Sequence, residues 1–589
     1  MTWIFLVVAT VRAIGIGWGL PASDGWDVDG VAPRDFLPGL AATFTPGQYY
    51  TYPPVHLAIL AVLTLPIVLV GVARSPSLAL PDLVATLLSV PYMSAISYVA
   101  RAVTLVLSLG IVLGLARIAE ELRAHELGLD SAPADASRGL LTCRWADDRV
   151  RRAGYFTAAF AGVNVSCTYY AHTTNLDVPY LFWATWSLLF FTRALARREP
   201  YFLRRAFVLA VLAVGTKDQA YGLVLLSFPV AFALWFAFDA WAREHRRTVL
   251  RETAMALAFA VSLFLVVDAV LVNPYGFLAR VKFLTGSASQ DFVEYTRDWS
   301  GRLGLLADAV RLSHLQYPAP LGIAILVGIC LVFARIRGVS SGRRVTHFVV
   351  ASLPMLAAVS FTLLFNFTAL RTNARFLLPQ ALVLAVYGGL ALDAIAFGVS
   401  SRAIRMALQG GVALALAAGL YVCMAVDATL LGDPRYDAEA WLASRVRPGE
   451  TIETYGLNVY MPRMPSHARV IRVGPEPPGK RNPMPGIEEV QAPFGDARSR
   501  GARFLVVSTG WVWRYVERHG DLGFGRQRPP TVHRSVVDKD ATDFFDGLLG
   551  GDRGFKLVHE AVYDNRVFPL VDPHGASGKL LWIFERTPD

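Results

Sequence analysis

An acidic loop follows the first apolar segment of the chain. Residues 19–55 contain four aspartates and a single arginine: Asp24, Asp27, Asp29, Asp35 and Arg34. Carboxylates at a membrane face cost too much free energy to be lipid contacts, so they indicate a watery or cavity-lining site. Such a carboxylate could take a proton from an attacking nucleophile. A solvated acidic loop without chemistry is the alternative interpretation.

Cations near apolar segments could bind an anionic group. Lys217 stands between two short apolar segments, where it either contacts phosphate or extends to the membrane surface as a snorkelling lysine. Arg101 and Arg375 carry the planar fork that suits bidentate phosphate contact, although either could instead anchor a helix at the interface.

Polar and aromatic residues accompany these cations. The run Tyr169–Asp177 contains His172 and a second acid, Asp177. A lone histidine beside aromatic residues is more often a structural interfacial residue than a ligand. Tyr52, like its neighbours Tyr49 and Tyr50, could stack on a sugar or belong to an aromatic belt at the interface.

The composition is that of a polytopic membrane protein. The 589 residues are 54% hydrophobic and only 17% charged, with a mean hydropathy of +0.42. The net charge of +10 does not indicate nucleic acid, because arginines in short loops between apolar segments account for most of it. The four cysteines have neither the pattern of a disulfide framework nor metal-ligand spacing.

The arginine-rich loops predict the topology. Three clusters should be cytoplasmic under the positive-inside rule, those around Arg197, Arg246 and Arg343. The apolar segments then form about 11 to 13 transmembrane helices, with residues 78–93 required to cross despite Pro81 and Pro91. The N-terminus is expected to be a retained helix inside, and everything after Asp427 lies outside.

With that topology, the chemically interesting residues share the outer face. Asp27, Arg101, the Tyr169–Asp177 run, Lys217 and Arg375 arrive there from separate parts of the sequence. Acids and bases that converge on one membrane face are typical of a site for an anionic, lipid-linked substrate.

The composition changes after Asp433. Residues 1–430 are therefore predicted as the membrane domain and residues 431–589 as an extracytoplasmic α/β domain. Its predicted strands are Thr451–Tyr455, Arg469–Val473, Arg503–Ser508 and Leu580–Phe584, with a helical patch at Thr542–Leu549. This domain could cover the outer site, contact the acceptor, or be purely structural.

Several stretches resemble the GT-C-fold, polyprenyl-phosphate-dependent glycosyltransferases of family 39, which includes protein O-mannosyltransferases and the lipid A aminoarabinose transferase. The stretches are GLPASDGWDVDG, YTYPPVHLAIL, SYVARAVTLVLSLGIVLGLARIAEEL and YYAHTTNLDVPYLFWATWSLLFF, followed by LAVLAVGTKDQAYGLVLL, NPYGFL and LRTNARFLLPQ. Together they cover roughly residues 1–400. One departure is Val28, which stands where the family has a glutamate, with Asp29 one position later.

The resemblance implies an integral-membrane glycosyltransferase that acts at the outer face of the cytoplasmic membrane, in cell-envelope glycosylation. Asp27 would be the general base, with Asp29 and Asp177 as further catalytic candidates. Lys217, Arg101, Arg375, Tyr52 and His172 would bind substrate. Asp29 or Asp24 could orient the acceptor or help hold a divalent cation, the only cofactor expected. The partners would be a polyprenyl-phosphate sugar, membrane lipid and an acceptor glycan, lipid or protein.

A transporter or flippase of lipid-linked sugars is the main alternative, because it could use the same basic residues. Transporters favour polar residues near the bilayer midplane and paired repeats with interrupted helices. This chain keeps its charges at one face and shows no internal repeat, which favours the enzyme over the transporter and over a non-catalytic scaffold.

Overall fold

The computed structural model describes residues 1–27, 29–129, 147–286, 293–481, 486–512, 515, 539–563, 566–569 and 581–588. These residues form two compact units, each assembled from separate segments. One contains Met1–Ile16, Asp35–Thr64 and Val99–Met424, and the other contains Gly17–Arg34, Leu65–Tyr98 and Ala425–Asp589. The division of the chain at residues 430 and 431 into two domains stays a prediction.

The chain is a polytopic helical membrane protein. In the part that the structure describes, eight helices are long and apolar enough to cross a membrane. They are Pro54–Arg74, Val90–Leu127, Asp218–Phe238, Arg246–Val267, Ala319–Gly338, Ser341–Ala369, Ala374–Phe397 and Arg402–Arg445. The last of these combines the long apolar helix Arg402–Leu431 with the helix Pro434–Arg445. Thr2–Ala13 is also apolar but shorter. Further helices are Phe36–Phe44, Leu80–Leu87, Asp148–Gly162, Val165–Ala171, Asp177–Ala196, Phe202–Val214, Pro274–Thr285 and Trp299–Leu312.

The predicted crossing at residues 78–93 is wrong, so the placement of the acidic loop at the outer face, which depended on that crossing, stays a prediction. These residues form the eight-residue helix Leu80–Leu87 and the start of the next helix, which begins at Val90. At about 1.5 Å per residue the short helix is roughly 12 Å long, far less than the roughly 30 Å of a bilayer core. Pro81 and Pro91 each lie in the first turn of a helix, where proline is tolerated, so together they divide the apolar segment in two.

Polar side chains collect at both ends of the helix Asp177–Ala196. Asp177 is its first residue, and Arg193 in its last turn donates to Glu121 at 2.8 Å. Arg197 donates to the same carboxylate at 2.6 Å. Arg193 lies 16 positions after Asp177 in this helix, about 24 Å along the axis. This helix therefore separates two polar groups, one at each end, and the predicted site residue Asp177 belongs to only one of them.

The C-terminal residues form a six-stranded sheet with the order β3-β2-β1-β4-β6-β5. The strands are β1 Thr451–Tyr455, β2 Arg469–Gly474, β3 Glu488–Gln491, β4 Phe504–Ser508, β5 Phe555–Ala561 and β6 Leu581–Arg586. The first four strands pair in parallel, for example Ile452 with Phe504, whereas β6 is antiparallel to β4 and β5. Every residue of the central strands β1 and β4 is buried.

Apolar cores cover both faces of this sheet. Ile452 and Phe504 pack with Leu442 of the helix Pro434–Arg445 on one face. Leu505 and Phe584 pack with Phe544 of the helix Lys539–Gly550 on the other. Central parallel strands buried on both faces are typical of a three-layer α/β domain. The α/β prediction is therefore confirmed.

Candidate functional site

Asp177 is the centre of a buried group of polar side chains. A turn presents it, because Asn175 Oδ1 accepts a hydrogen bond from the Asp177 backbone at 2.9 Å. Lys217 Nζ donates to Asp177 Oδ1 at 2.7 Å, and Gln219 Nε2 donates to the same oxygen at 2.8 Å. Arg375 Nε lies 3.8 Å from Asp177 Oδ2. The structure thus brings together three residues that the sequence predicted for the site: Asp177, Lys217 and Arg375.

Local structure places both cations at helix ends. Arg375 lies in the first turn of the helix Ala374–Phe397, which Asn373 caps by accepting a hydrogen bond from the backbone of Phe376 at 3.1 Å. Lys217 lies between the helix Phe202–Val214 and the short 3₁₀ turn Asp218–Ala220. Both side chains retain partial exposure, 18% for Lys217 and 17% for Arg375, whereas Asp177 is 1% exposed.

The group can bind an anion. Lys217 and Arg375 both approach the carboxylate of Asp177, so these three side chains carry a net charge of +1. The carboxylate is more deeply buried than either cation. Ammonium and guanidinium groups that a carboxylate orients, and that still reach solvent, are suited to charge-assisted hydrogen bonds with phosphate oxygens. The salt bridge of Lys217 with Asp177 also stabilises the turn.

A second ionic group lies beside the first along the chain. Asp218 accepts from Arg280 Nη2 at 2.6 Å, while Asp268 accepts from the same nitrogen at 2.8 Å. The Arg280 guanidinium lies 4.8 Å from the centre of the Tyr50 ring, and Tyr50 donates its hydroxyl to the Asp268 carbonyl at 2.7 Å. Burial raises the pKa of Tyr50 to about 12, so this phenol stays protonated at neutral pH.

Sequence reasoning missed the Arg280 group. Burial raises the pKa of Asp268, and the charge of Arg280 opposes that rise. One signal was visible, since Asp218 directly follows Lys217, yet nothing in the sequence shows which of the many arginines meets it. Because Asp218 directly follows Lys217, its ion pair with Arg280 restrains the same turn, so we assign this group a supporting role.

Arg101 and His172 are more deeply buried than an open binding site requires. Arg101 is 1% exposed and donates to the carbonyl of Ile16 at 2.7 Å. His172 is fully buried, and this burial lowers its pKa to about 4, although hydrogen bonds with the backbone of Ile14 and Thr168 partly oppose the shift. Tyr52 is half-buried. Both side chains are buried and contact the protein backbone, as structural residues do. Their role in substrate binding stays a prediction.

Three aspartates of the acidic loop, Asp24, Asp27 and Asp29, belong to the other compact unit, where they differ in environment. Asp24 is buried, and its carboxylate forms a salt bridge of 3.1 Å with the guanidinium of Arg34. Asp27 is 8% exposed, and its backbone carbonyl accepts from Gly30 in a turn at 3.1 Å. Asp29 is exposed. Val28, the departure from the family pattern, lies outside the described residues.

An open cavity of about 520 Å³ lies in the larger helical unit, and sequence reasoning did not predict it. Arg297 and Arg302 contribute charge, whereas the end of a membrane-spanning helix contributes apolar surface through Leu363, Phe367 and Leu370. A π-helical turn at Thr362–Asn366 interrupts that helix beside the cavity. Guanidinium groups next to apolar side chains suit an amphiphilic anion.

The described residues contain no group of three or more His, Cys, Asp or Glu side chains arranged to hold a metal ion. The divalent cation expected near Asp24 or Asp29 stays a prediction.

No protein-family model matches the chain, and no curated protein matches its sequence. Among solved structures, the chain is similar to the crystal structure of ArnT from Cupriavidus metallidurans bound to undecaprenyl phosphate, with a TM-score of 0.45 and 16% identity. The match covers 86% of this chain and 93% of that chain. A likeness of this size leaves the function to be argued from the residues themselves.

Proposed function

We propose that this protein is an integral-membrane glycosyltransferase that moves a sugar from a polyprenyl-phosphate donor to an acceptor at the outer face of the cytoplasmic membrane. The sugar would be a hexosyl or pentosyl group, and the acceptor a glycan, lipid or protein of the cell envelope. The domain after residue 430 would lie on the outer side. The family 39 pattern in the sequence supports this proposal.

One observation carries the proposal, namely the group of Lys217 and Arg375 around Asp177. A polyprenyl phosphate is an anion on an apolar chain, and when the sugar leaves, the phosphate gains charge. Cations that a buried carboxylate has already oriented stabilise that charge without reorganisation during the reaction. Gln219 completes the group by fixing Asp177, to which it donates at 2.8 Å.

The reaction requires one bond to form and one to break. A nucleophilic oxygen or nitrogen of the acceptor attacks the anomeric carbon, and the bond from that carbon to the phosphate oxygen breaks. The bonding electrons leave with the phosphate, whose negative charge Lys217 and Arg375 would stabilise. A base takes the proton of the nucleophile. Direct displacement of this kind inverts the configuration at the anomeric carbon.

Asp27 is the proposed base. The family 39 pattern in the sequence supports this choice. Asp24 pairs with Arg34, Lys217 and Gln219 donate to Asp177, and Asp27 Oδ1 accepts a hydrogen bond from the Asp29 backbone at 3.4 Å. Asp27 is buried, which favours proton transfer away from bulk water, whereas the exposed Asp29 suits orientation of the acceptor. Asp177 therefore serves as a positioning carboxylate for the cations in this proposal.

The test is transfer of a labelled sugar. Purified full-length protein in nanodiscs is supplied with radiolabelled undecaprenyl-phosphate hexoses and pentoses, together with extracts of cell-envelope glycans, lipids and proteins. We expect label to move from at least one donor to an acceptor, with inversion at the anomeric carbon. Movement of the intact labelled lipid across the bilayer without any transfer would support a flippase instead and would contradict the proposal.

A further inference from the structure

Two tryptophans on either side of Asp24 are held by one short segment of the C-terminal part of the chain. Trp18 and Trp26 are each 3% exposed. Trp18 Nε1 donates to Asp433 Oδ2 at 3.0 Å. The guanidinium of Arg435 lies 4.2 Å from the centre of the Trp26 ring and 5.4 Å from that of Trp18. We call these four residues the tryptophan clamp.

Arg435 has little freedom to move within the clamp. Its Nε and Nη2 donate to the two carboxylate oxygens of Asp433 at 2.8 and 2.5 Å, and its Nη1 donates to the carbonyl of Val459 at 2.5 Å. The side chain is almost fully buried. A bidentate guanidinium has one orientation relative to its carboxylate, so the face that it offers to Trp26 is fixed as well.

Further contacts hold the Trp26 ring from other sides. Arg463 lies 5.5 Å from its centre, and the Tyr436 ring lies at 4.9 Å. The hydroxyl of Tyr436 accepts from the backbone of Gly19 at 2.9 Å. Gly19 has a φ of +71°, and a Cβ at this position would lie 2.7 Å from the Trp26 ring. The indole therefore packs directly on the backbone at the start of the acidic loop.

The clamp acts next to the proposed base. Trp26 immediately precedes Asp27, so the fixed indole limits where the Asp27 carboxylate can lie. The Asp24–Arg34 pair and the turn from Asp27 to Gly30 restrict the rest of the loop. A general base must come within hydrogen-bond reach of the proton it takes, and small displacements of a reacting group can lower the rate about a hundredfold.

We infer that the tryptophan clamp positions Asp27, so that Arg435 and Asp433, which follow the last long apolar helix segment, are positioning residues for the transfer reaction. This inference rests on the proposed function for its catalytic consequence. Its structural part, that Arg435 orders the acidic loop through Trp26, stands on the contacts alone. Within the C-terminal domain, the inference therefore assigns a role in the transfer reaction to Asp433 and Arg435 specifically.

The kinetic test compares matched variants at the clamp with one in the same domain. Trp26→Leu removes the ring, Trp26→Phe keeps an aromatic face, and Arg435→Lys keeps the charge but loses the fork. Trp441→Leu is the control, because Trp441 packs on Phe504 and His559 within the sheet domain. With a labelled undecaprenyl-phosphate sugar that the wild type uses, we expect kcat to fall roughly 10- to 100-fold for Trp26→Leu and Arg435→Lys.

In the same assay the KM for the donor should change by less than about twofold, and Trp26→Phe should recover most of kcat. An unchanged kcat in Trp26→Leu and Arg435→Lys would overturn the inference. So would an equal loss in Trp441→Leu, because that result indicates general damage to the domain. Trp26→Phe and Arg435→Lys are conservative enough to carry the test if Trp26→Leu fails to accumulate.

Hydrogen exchange tests the structural part without any activity. We expect faster amide exchange in residues 17–34 of Arg435→Lys, with exchange in residues 165–220 unchanged from the wild type. Unchanged exchange in residues 17–34 would contradict the clamp. If the wild type transfers no sugar at all, the proposed function fails, whereas the exchange result still decides whether Arg435 orders the loop.

Discussion

Lys217 and Asp177 form a salt bridge of 2.7 Å in which the carboxylate is 1% exposed and the ammonium retains 18% exposure. The burial differs because Asp177 begins a packed helix while Lys217 lies in a turn. The pair therefore has two separable properties. The carboxylate needs the lysine for stability, and the lysine keeps one side available to another anion.

These two properties can be separated by mutation. Lys217→Met should destabilise the protein, because it leaves a buried carboxylate without its main partner, whereas Lys217→Met combined with Asp177→Asn should regain most of that stability. Neither protein should use the donor normally. Loss of one charge-assisted hydrogen bond, about 1.5–3 kcal/mol, predicts a rise of roughly 10- to 100-fold in the KM for the lipid donor.

Thermal unfolding and donor kinetics of the wild type, of Lys217→Met and of the double variant check this prediction. Lys217→Arg serves as the control that keeps the charge. Unchanged donor kinetics in the double variant would mean that Lys217 serves only to neutralise Asp177.

Removal of Arg280 should mainly affect stability. Arg280→Met leaves Asp218 and Asp268 as uncompensated carboxylates in a buried site, which typically costs about 3–5 kcal/mol. The exposed Arg297 is a matched control, and Arg297→Met should change stability by no more than about 0.5 kcal/mol. Unfolding of both variants in detergent measures the difference. Equal stabilities would show that the Arg280 group does not hold the turn at Lys217.

We expect the buried imidazole of His172 to make the stability of the protein depend on pH. Its pKa is lowered to about 4 by burial, while an unfolded histidine titrates near about 6.5. Between these values the unfolded chain binds a proton that the folded chain does not, so stability is full above about pH 6.5 and falls as the pH drops toward 4. Melting temperatures across this range, compared with His172→Gln, check it. The variant should show a shallower decline, and parallel curves would contradict the prediction.

The sequence predicted the elements that depend on local pattern. Long apolar runs identified the spanning helices, and the predicted strands that begin at Thr451, Arg469 and Arg503 correspond to β1, β2 and β4. The predicted strand Leu580–Phe584 overlaps β6 from Leu581 onward, and Leu580 itself lies outside the described residues. The helix predicted at Thr542–Leu549 lies within Lys539–Gly550. The strands β3 and β5 were missed because they lie at the edges of the sheet, where solvent-exposed residues weaken the alternation that marks a strand.

Pairings between distant residues could not be predicted. Asp177 and Lys217 were both identified as site candidates, yet their salt bridge depends on how two helix ends pack. The contact of Trp26 with Arg435 joins residues about four hundred positions apart, and no periodicity encodes it. Charged residues are individually visible in the sequence, but their partners are set by tertiary packing.

In the proposed reaction, Asp27 takes the acceptor's proton during transfer from a polyprenyl-phosphate sugar. The most direct measurement is the single-turnover rate of labelled sugar transfer in Asp27→Asn and Asp29→Asn, with donor binding determined separately. We predict that Asp27→Asn lowers the rate by about 10²–10⁴-fold with little change in donor binding, and that Asp29→Asn lowers it less. A normal rate in Asp27→Asn together with abolished transfer in Asp29→Asn would contradict the assignment of the base, and normal rates in both would contradict a catalytic role for the loop.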